Sequence, residues 1–231
     1  MKRSKRIPAL ALALVLVLSA LTGCSNNKLV DVAPPDEVAV ALFDIVIRDD
    51  AAAITEALGY PSEAEARADF LGEDGSLYES LASEFTNQLS ALGTVTDADS
   101  QRLVDAFLAM MNKLTFTAEV KEQSDKDRTA VVTCHVSTFP ADAMETAVTD
   151  AFTALATENP DLANDPDALV GALVEAMATA MESLEPTDDM ADFDADFTLE
   201  QMETNGKAKW VWIPADAEGF GAALSSNAMG G

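Results

Sequence analysis

The hydrophobic pattern changes character three times along the chain. From Ile7 to Leu18 it is almost unbroken, from Val38 to about Leu114 it recurs every third or fourth residue, and beyond that paired segments alternate strictly between apolar and polar. The middle regime predicts helices. Pro34-Pro35-Asp36 stops the preceding segment and starts a helix whose inward face is Val38, Leu42, Ile45 and Val46. Asp49-Asp50 break it, and a second helix with Ile54 and Leu58 inward ends at Gly59-Tyr60-Pro61. A third runs from Ser62 to Leu71. Leu77, Leu81, Phe85, Leu89 and Leu92 mark a longer one, stopped by Gly93. Thr96 or Asp97 caps the next, with Leu103, Phe107, Met110 or Met111, and Leu114 inward.

Period two takes over near Leu114. Phe116, Ala118 and Val120 alternate with Thr117, Glu119 and Lys121, and Ala130, Val132, Cys134 and Val136 alternate with Val131, Thr133, His135 and Ser137. The polar run Gln123 to Asp127 joins them as a hairpin loop. Near the other end Phe193, Ala195, Phe197 and Leu199 alternate with Asp194, Asp196, Thr198 and Glu200, and Asn205-Gly206 turns the chain into Ala208, Trp210 and Trp212. Between the hairpins lie two helices. Met144, Val148, Phe152 and Leu155 face inward on the first; Asp165 and Pro166 start the second, whose inward face is Val170, Leu173, Val174, Met177, Met181 and Leu184. The fold class is therefore α+β: N-terminal helices packed on a four-stranded antiparallel curved sheet, with a two-helix excursion between the two hairpins.

The apolar run at the start is flanked by Lys2, Arg3, Lys5 and Arg6 and closes with Leu21-Thr22-Gly23-Cys24. That order of basic, apolar and small residues is an export signal, too short for a permanent span of about 20 apolar residues. The domain reading follows: residues 1–23 a lipoprotein signal peptide, 24–34 a lipidated Cys24 and flexible tether, 35–214 one α+β domain with 140–190 as its excursion, and 215–231 a flexible tail.

The net charge is −26, with 14 Lys+Arg against 40 Asp+Glu. Loss of residues 1–23 takes four cations and no acid with it and leaves −30. Such a chain is repelled by phosphate, so nucleic acid is not a partner, and anionic headgroups do not hold it to a membrane. Between Pro140 and Gly206 there are 17 Asp and Glu and no Lys or Arg, an acidity whose plain reading is a solvated surface. With one His and two Cys, multi-His zinc sites and thiolate clusters lack their raw material.

Candidate chemistry is sparse. Cys134 and His135 are adjacent, but strand neighbours point to opposite faces, which separates a thiol from the imidazole it would need. Asp192, Asp194, Asp196, Glu200 and Glu203 have the offsets of a calcium loop, yet Phe197 stands where that loop needs Gly, so Ca²⁺ at Asp192, Asp194 and Asp196 competes with an acidic strand face. Trp210 and Trp212, with Phe116 and Phe197, either form core or line an apolar ligand site. No phosphate cradle, nucleophile elbow or His-Glu-x-x-His motif is present.

Leu21-Thr22-Gly23-Cys24 resembles the lipobox of bacterial lipoproteins, which implies cleavage before Cys24, diacylglycerol on its sulfur and an extracytoplasmic, membrane-anchored location. Together with the early helix around Leu42-Phe43-Asp44 and the hairpin Phe116–Val120/Ala130–Val136, the chain resembles surface lipoproteins of Gram-positive bacteria with a domain of unknown function. These are distantly similar to the cone-shaped fold of nuclear transport factor 2 and ketosteroid isomerase. The resemblance implies a curved sheet on helices that can enclose a small apolar pocket. The isomerase's Asp base with Tyr and protonated Asp donors has no counterpart here, the only tyrosines being Tyr60 and Tyr78. The expected function is a non-enzymatic module binding a small ligand or an envelope protein. A carboxylate-dependent hydrolase or isomerase, and a spacer or assembly factor, are the alternatives.

Overall fold

The computed structural model describes residues 32–72, 76–90, 93–140, 142–160, 162, 165–204 and 207–230. The stretches expected to be a signal peptide, a lipidated Cys24 and most of a tether, and the expected Asn205-Gly206 turn, lie outside the described residues.

Five helices come first: α1 (Pro35–Arg48), α2 (Ala52–Leu58), α3 (Glu63–Leu71), α4 (Ser76–Leu89) and α5 (Asp97–Met111). Helix α1 starts with Pro35 at its first position, has Asp36 and Glu37 in its first turn and Arg48 in its last, a charge order that suits the helix dipole. Val38, Leu42, Phe43, Ile45, Val46 and Ile47 are all buried, so this helix is enclosed on most sides. Asp49 ends it in the left-handed region at φ 53°, and Arg67 of α3 holds that turn through Asp49 Oδ1 at 2.9 Å and the Asp49 carbonyl at 2.8 Å. The expected starts of α3 and α5 are capped by Ser62 and by a reciprocal Thr96/Asp99 box. Gly59 ends α2 at φ 77°, and Lys209 passes so close that a Cβ there would lie 2.8 Å from its Cδ.

The strands are β1 (Phe116–Ser124), β2 (Thr129–Ser137), β3 (Met190–Thr204) and β4 (Lys207–Pro214), antiparallel in the order β1-β2-β3-β4. Register puts Phe116, Cys134, Ala130, Phe193, Phe197, Leu199, Trp210 and Trp212 on one face. Helix α1 lies against β1, β2 and β4, with Phe43 stacked on Phe116 at 4.7 Å between ring centroids. The other face carries Glu119, Thr133, His135, Asp192, Asp194, Asp196 and Glu200, exposed or half-exposed.

The flexible tail expected at 215–231 is instead helix α8 (Ala217–Ala228), packed against β3. Asp216 caps it by accepting the Gly219 N–H at 2.8 Å, and Phe220 meets Phe193 and Phe197 at 5.9 and 6.2 Å. Its Gly, Ala and Ser content reads as loose chain, but buried Ala217, Phe220, Leu224 and Ala228 fall on one helical stripe. The domain thus runs past 214.

The excursion is α6 (Ala143–Glu158) and α7 (Pro166–Ser183). It packs on α5 rather than on the sheet: α7 lies between α5 and α6. Val170, Val174, Ala176, Ala178, Ala180 and Met181 of α7 are buried, whereas no residue of α6 is, and its expected inward face of Met144, Val148, Phe152 and Leu155 is only half-buried. The missing cations are supplied from elsewhere in the chain. Arg102 of α5 bridges Glu175 at 3.1 Å and Glu182 at 2.5 Å, while Lys113 donates to the Glu182 and Leu184 carbonyls, each at 2.8 Å, and to Glu185 at 2.6 Å.

Candidate functional site

The aromatic residues proposed as a ligand site are enclosed. Phe197, Trp212 and Phe116 are 0%, 3% and 6% exposed. Trp210 is covered by the Arg128 guanidinium, 4.1 Å from the ring, at a turn where Arg128 adopts φ 58°. The Trp210 indole N–H is buried without a partner among the described residues. None of the four lines either of the two clefts described below.

Cys134 and His135 point to opposite faces. Cys134 is 0% exposed, and its thiol is pushed up to about 12, first by burial and then by the Asp194 charge. Such a thiol is a core group, not a nucleophile. In the native chain it should fail to react with a disulfide reagent at pH 8 and become fully reactive in denaturant; fast native-state titration of one thiol, in a Cys24→Ala background, would contradict this placement.

Asp192, Asp194 and Asp196 lie at alternate positions of β3 rather than in a loop. Two are already engaged: Asp192 Oδ1 is 2.6 Å from His135 Nδ1, and Asp194 takes Lys121 Nζ at 2.5 Å and the Thr133 hydroxyl at 2.8 Å. Lys121, the residue at the β1 bulge, holds the Asp194 carboxyl below the usual range. Glu119 lies 3.9 Å from His135 Nε2. Among the described residues no three His, Cys, Asp or Glu side chains gather as a metal set. The arrangement is a cross-strand ladder tying β1, β2 and β3 together, each pair modest because it is exposed.

A groove of about 410 Å³ opens where the described chain begins. It is lined by Val32 and Ala33, Glu37 of α1, Ala53, Glu56 and Ala57 of α2, and Lys209 of β4. The Lys209 ammonium is committed to the α2 terminus, donating to the Glu56 and Ala57 carbonyls at 3.0 and 3.1 Å. A second cleft of about 350 Å³ lies on α6, between Asp142, Glu145, Thr146, Thr149 and Asp150. Sequence reasoning singles out neither. Glu37 reads as a helix-start acid and Lys209 as a strand residue, and the contact of Lys209 with the α2 terminus depends on β4 lying beside α2, 153 residues from Glu56 in sequence.

The sequence matches no protein-family model and no curated protein. The fold is similar to that of ycdA from Bacillus subtilis, whose crystal structure is described as that of "a putative lipoprotein". The TM-score is 0.57 at 14% identity, over 84% of this chain and 55% of that one. What the two share at this identity is the fold, and this chain spans just over half of the other's length. Among the described residues no helix is long and apolar enough to cross a membrane.

Proposed function

We propose that this chain is a lipoprotein, anchored through Cys24 to the outer face of the cell membrane, whose domain binds a ligand or an envelope partner without catalysing a reaction. The observation that carries the reading is Leu21-Thr22-Gly23-Cys24 after a basic and then an apolar stretch. The likeness of fold to a Bacillus protein described as a lipoprotein supports it. Helix α1 packs on the antiparallel sheet, and large buried side chains fill the face between them.

An acyl chain fixes where the domain works. A single chain anchors marginally and several anchor stably, and the acidic body adds no electrostatic attraction of its own to an anionic surface. The enzymatic alternative asks for a carboxyl with a raised pKa in a cavity. The carboxyls displaced most clearly, Glu182 beside Arg102 and Asp194 beside Lys121, are instead lowered, and both are exposed.

Cells fed a radioactive fatty acid test the anchor. The wild-type protein should carry label and sediment with membranes, and Cys24→Ala should carry none. Equal labelling of both, or an unlabelled wild type, would refute it.

A further inference from the structure

We infer that the open edge of β3 between Met190 and Ala195 takes up an extended peptide as an added antiparallel strand, one in which basic and apolar residues alternate. This rests on the reading of the domain as a partner-binding module and names the class of partner for one surface. The backbone carries the first part. Strand β3 spans Met190–Thr204, and β2 pairs with it from Met190 to Thr198, but β4 pairs only from Phe197 to Thr204. Successive residues of a strand turn their N–H and C=O groups to opposite sides. The Leu199 N–H bonds the Arg128 carbonyl at the start of β2, whereas the Asp196 carbonyl accepts the Ala215 N–H at 2.8 Å on the side of β4. Asp192 and Asp194 therefore also face the β4 side, beyond the point where β4 ends. Among the described residues no other backbone pairs with them there. Helix α8 meets this stretch on its apolar face, through Phe220 and Phe193.

The other outer edges are guarded against pairing. A bulge at Lys121 interrupts β1, and β4 carries Lys207, Lys209 and Pro214. Residues 190–195 contain no bulge, Lys or Pro and offer about 20 Å of strand at roughly 3.4 Å per residue. Their side chains set the chemistry of the partner. On one face Met190, Asp192 and Asp194 are exposed; on the other Ala191 and Phe193 are half-buried. Asp194 is paired with Lys121 and Asp192 with the imidazole of His135, and Asp196 forms no ion pair among the described residues. A second copy of this chain does not suit the edge, because antiparallel pairing would set its Asp192 and Asp194 against the same carboxylates, and like charges placed opposite destabilise a sheet. Lysine or arginine opposite Asp192 and Asp194 supplies the complementary charge, and apolar residues between them extend the face of Ala191 and Phe193.

The test uses the full mature chain in detergent and a short acetylated, amidated peptide of alternating lysine and valine. In the free chain the Asp192 and Asp194 amide protons should exchange at least about tenfold faster than those of Phe193 and Ala195, which face β2, and saturating peptide should slow them at least about tenfold. With lysine opposite aspartate, the lysine N–H groups face β3 and the valine N–H groups face solvent. N-methylation of the lysines should therefore weaken binding at least about tenfold by calorimetry, and N-methylation of the valines less than about threefold, although the two peptides carry the same charge. The Asp192→Asn/Asp194→Asn variant, its fold checked by circular dichroism, should bind at least about fivefold more weakly. Equal binding of the two methylated peptides would reduce the contact to charge alone and overturn the proposal. So would Asp192 and Asp194 amides already protected in the free chain, or protected on concentrating the chain without peptide, which would assign the edge to a second copy. None of these results touches the anchor, which fatty-acid labelling reads separately.

Discussion

A chain ending at Pro214 should not fold stably. Helix α8 would be lost, and with it buried Phe220 and Leu224, the cover over Phe193 and Phe197, and the hydrogen bond from the Phe139 N–H to the Ala228 carbonyl at 2.8 Å. Burying one large apolar side chain is worth about 1.5–3 kcal/mol, so losing two and exposing two more removes roughly 5 kcal/mol or more. That equals the whole stability of many domains, about 5–15 kcal/mol. Thermal melting followed by circular dichroism should therefore show the truncated chain with no cooperative transition or a melting point lowered by tens of degrees. If residues 215–231 were the flexible tail their composition suggests, the melt would be unchanged.

Phe197→Ala should cost about 3–5 kcal/mol, the range for removing a fully buried aromatic side chain. Phe197 is 0% exposed, pairs with Ala130 and Pro214 across β3, and meets Phe220 at a ring angle of 79°. No small neighbour expands to fill the space, since Ala130 and Ala195 beside it are themselves short. Were Phe197 instead the wall of a roomy ligand pocket, the cost would fall below about 1.5 kcal/mol, because little contact would be lost. Urea unfolding distinguishes the two cases.

The helices and strands are legible because each declares itself locally. Pro34-Pro35, Ser62, Thr96 and Asp165 stand at helix starts, and alternation marks β2 and most of β3, while a bulge interrupts it in β1 and Trp210, Val211 and Trp212 are buried in succession in β4. Helix α8 is missed because Ala, Gly and Ser bury without declaring a strong apolar stripe, and tertiary packing on Phe193 and Phe197 decides the matter. The acidity of residues 140–206 is visible in sequence, but its partial compensation is not. Arg102 and Lys113 reach Glu175, Glu182 and Glu185 from about 70 to 80 residues away, a pairing fixed only when α7 lies on α5. The groove is illegible for the same reason, since its walls come from three separate elements. In contrast, the opposite orientations of Cys134 and His135 follow from strand geometry alone, and the structure has them so.

Intact-mass spectrometry of the protein purified from its own cells bears most directly on the proposed membrane anchor. A chain beginning at Cys24 and heavier than its unmodified sequence by a diacylglyceryl group, with or without an amide-linked acyl chain, is the predicted result. A chain of unmodified mass beginning at Met1, recovered from the soluble fraction of lysed cells, would contradict it.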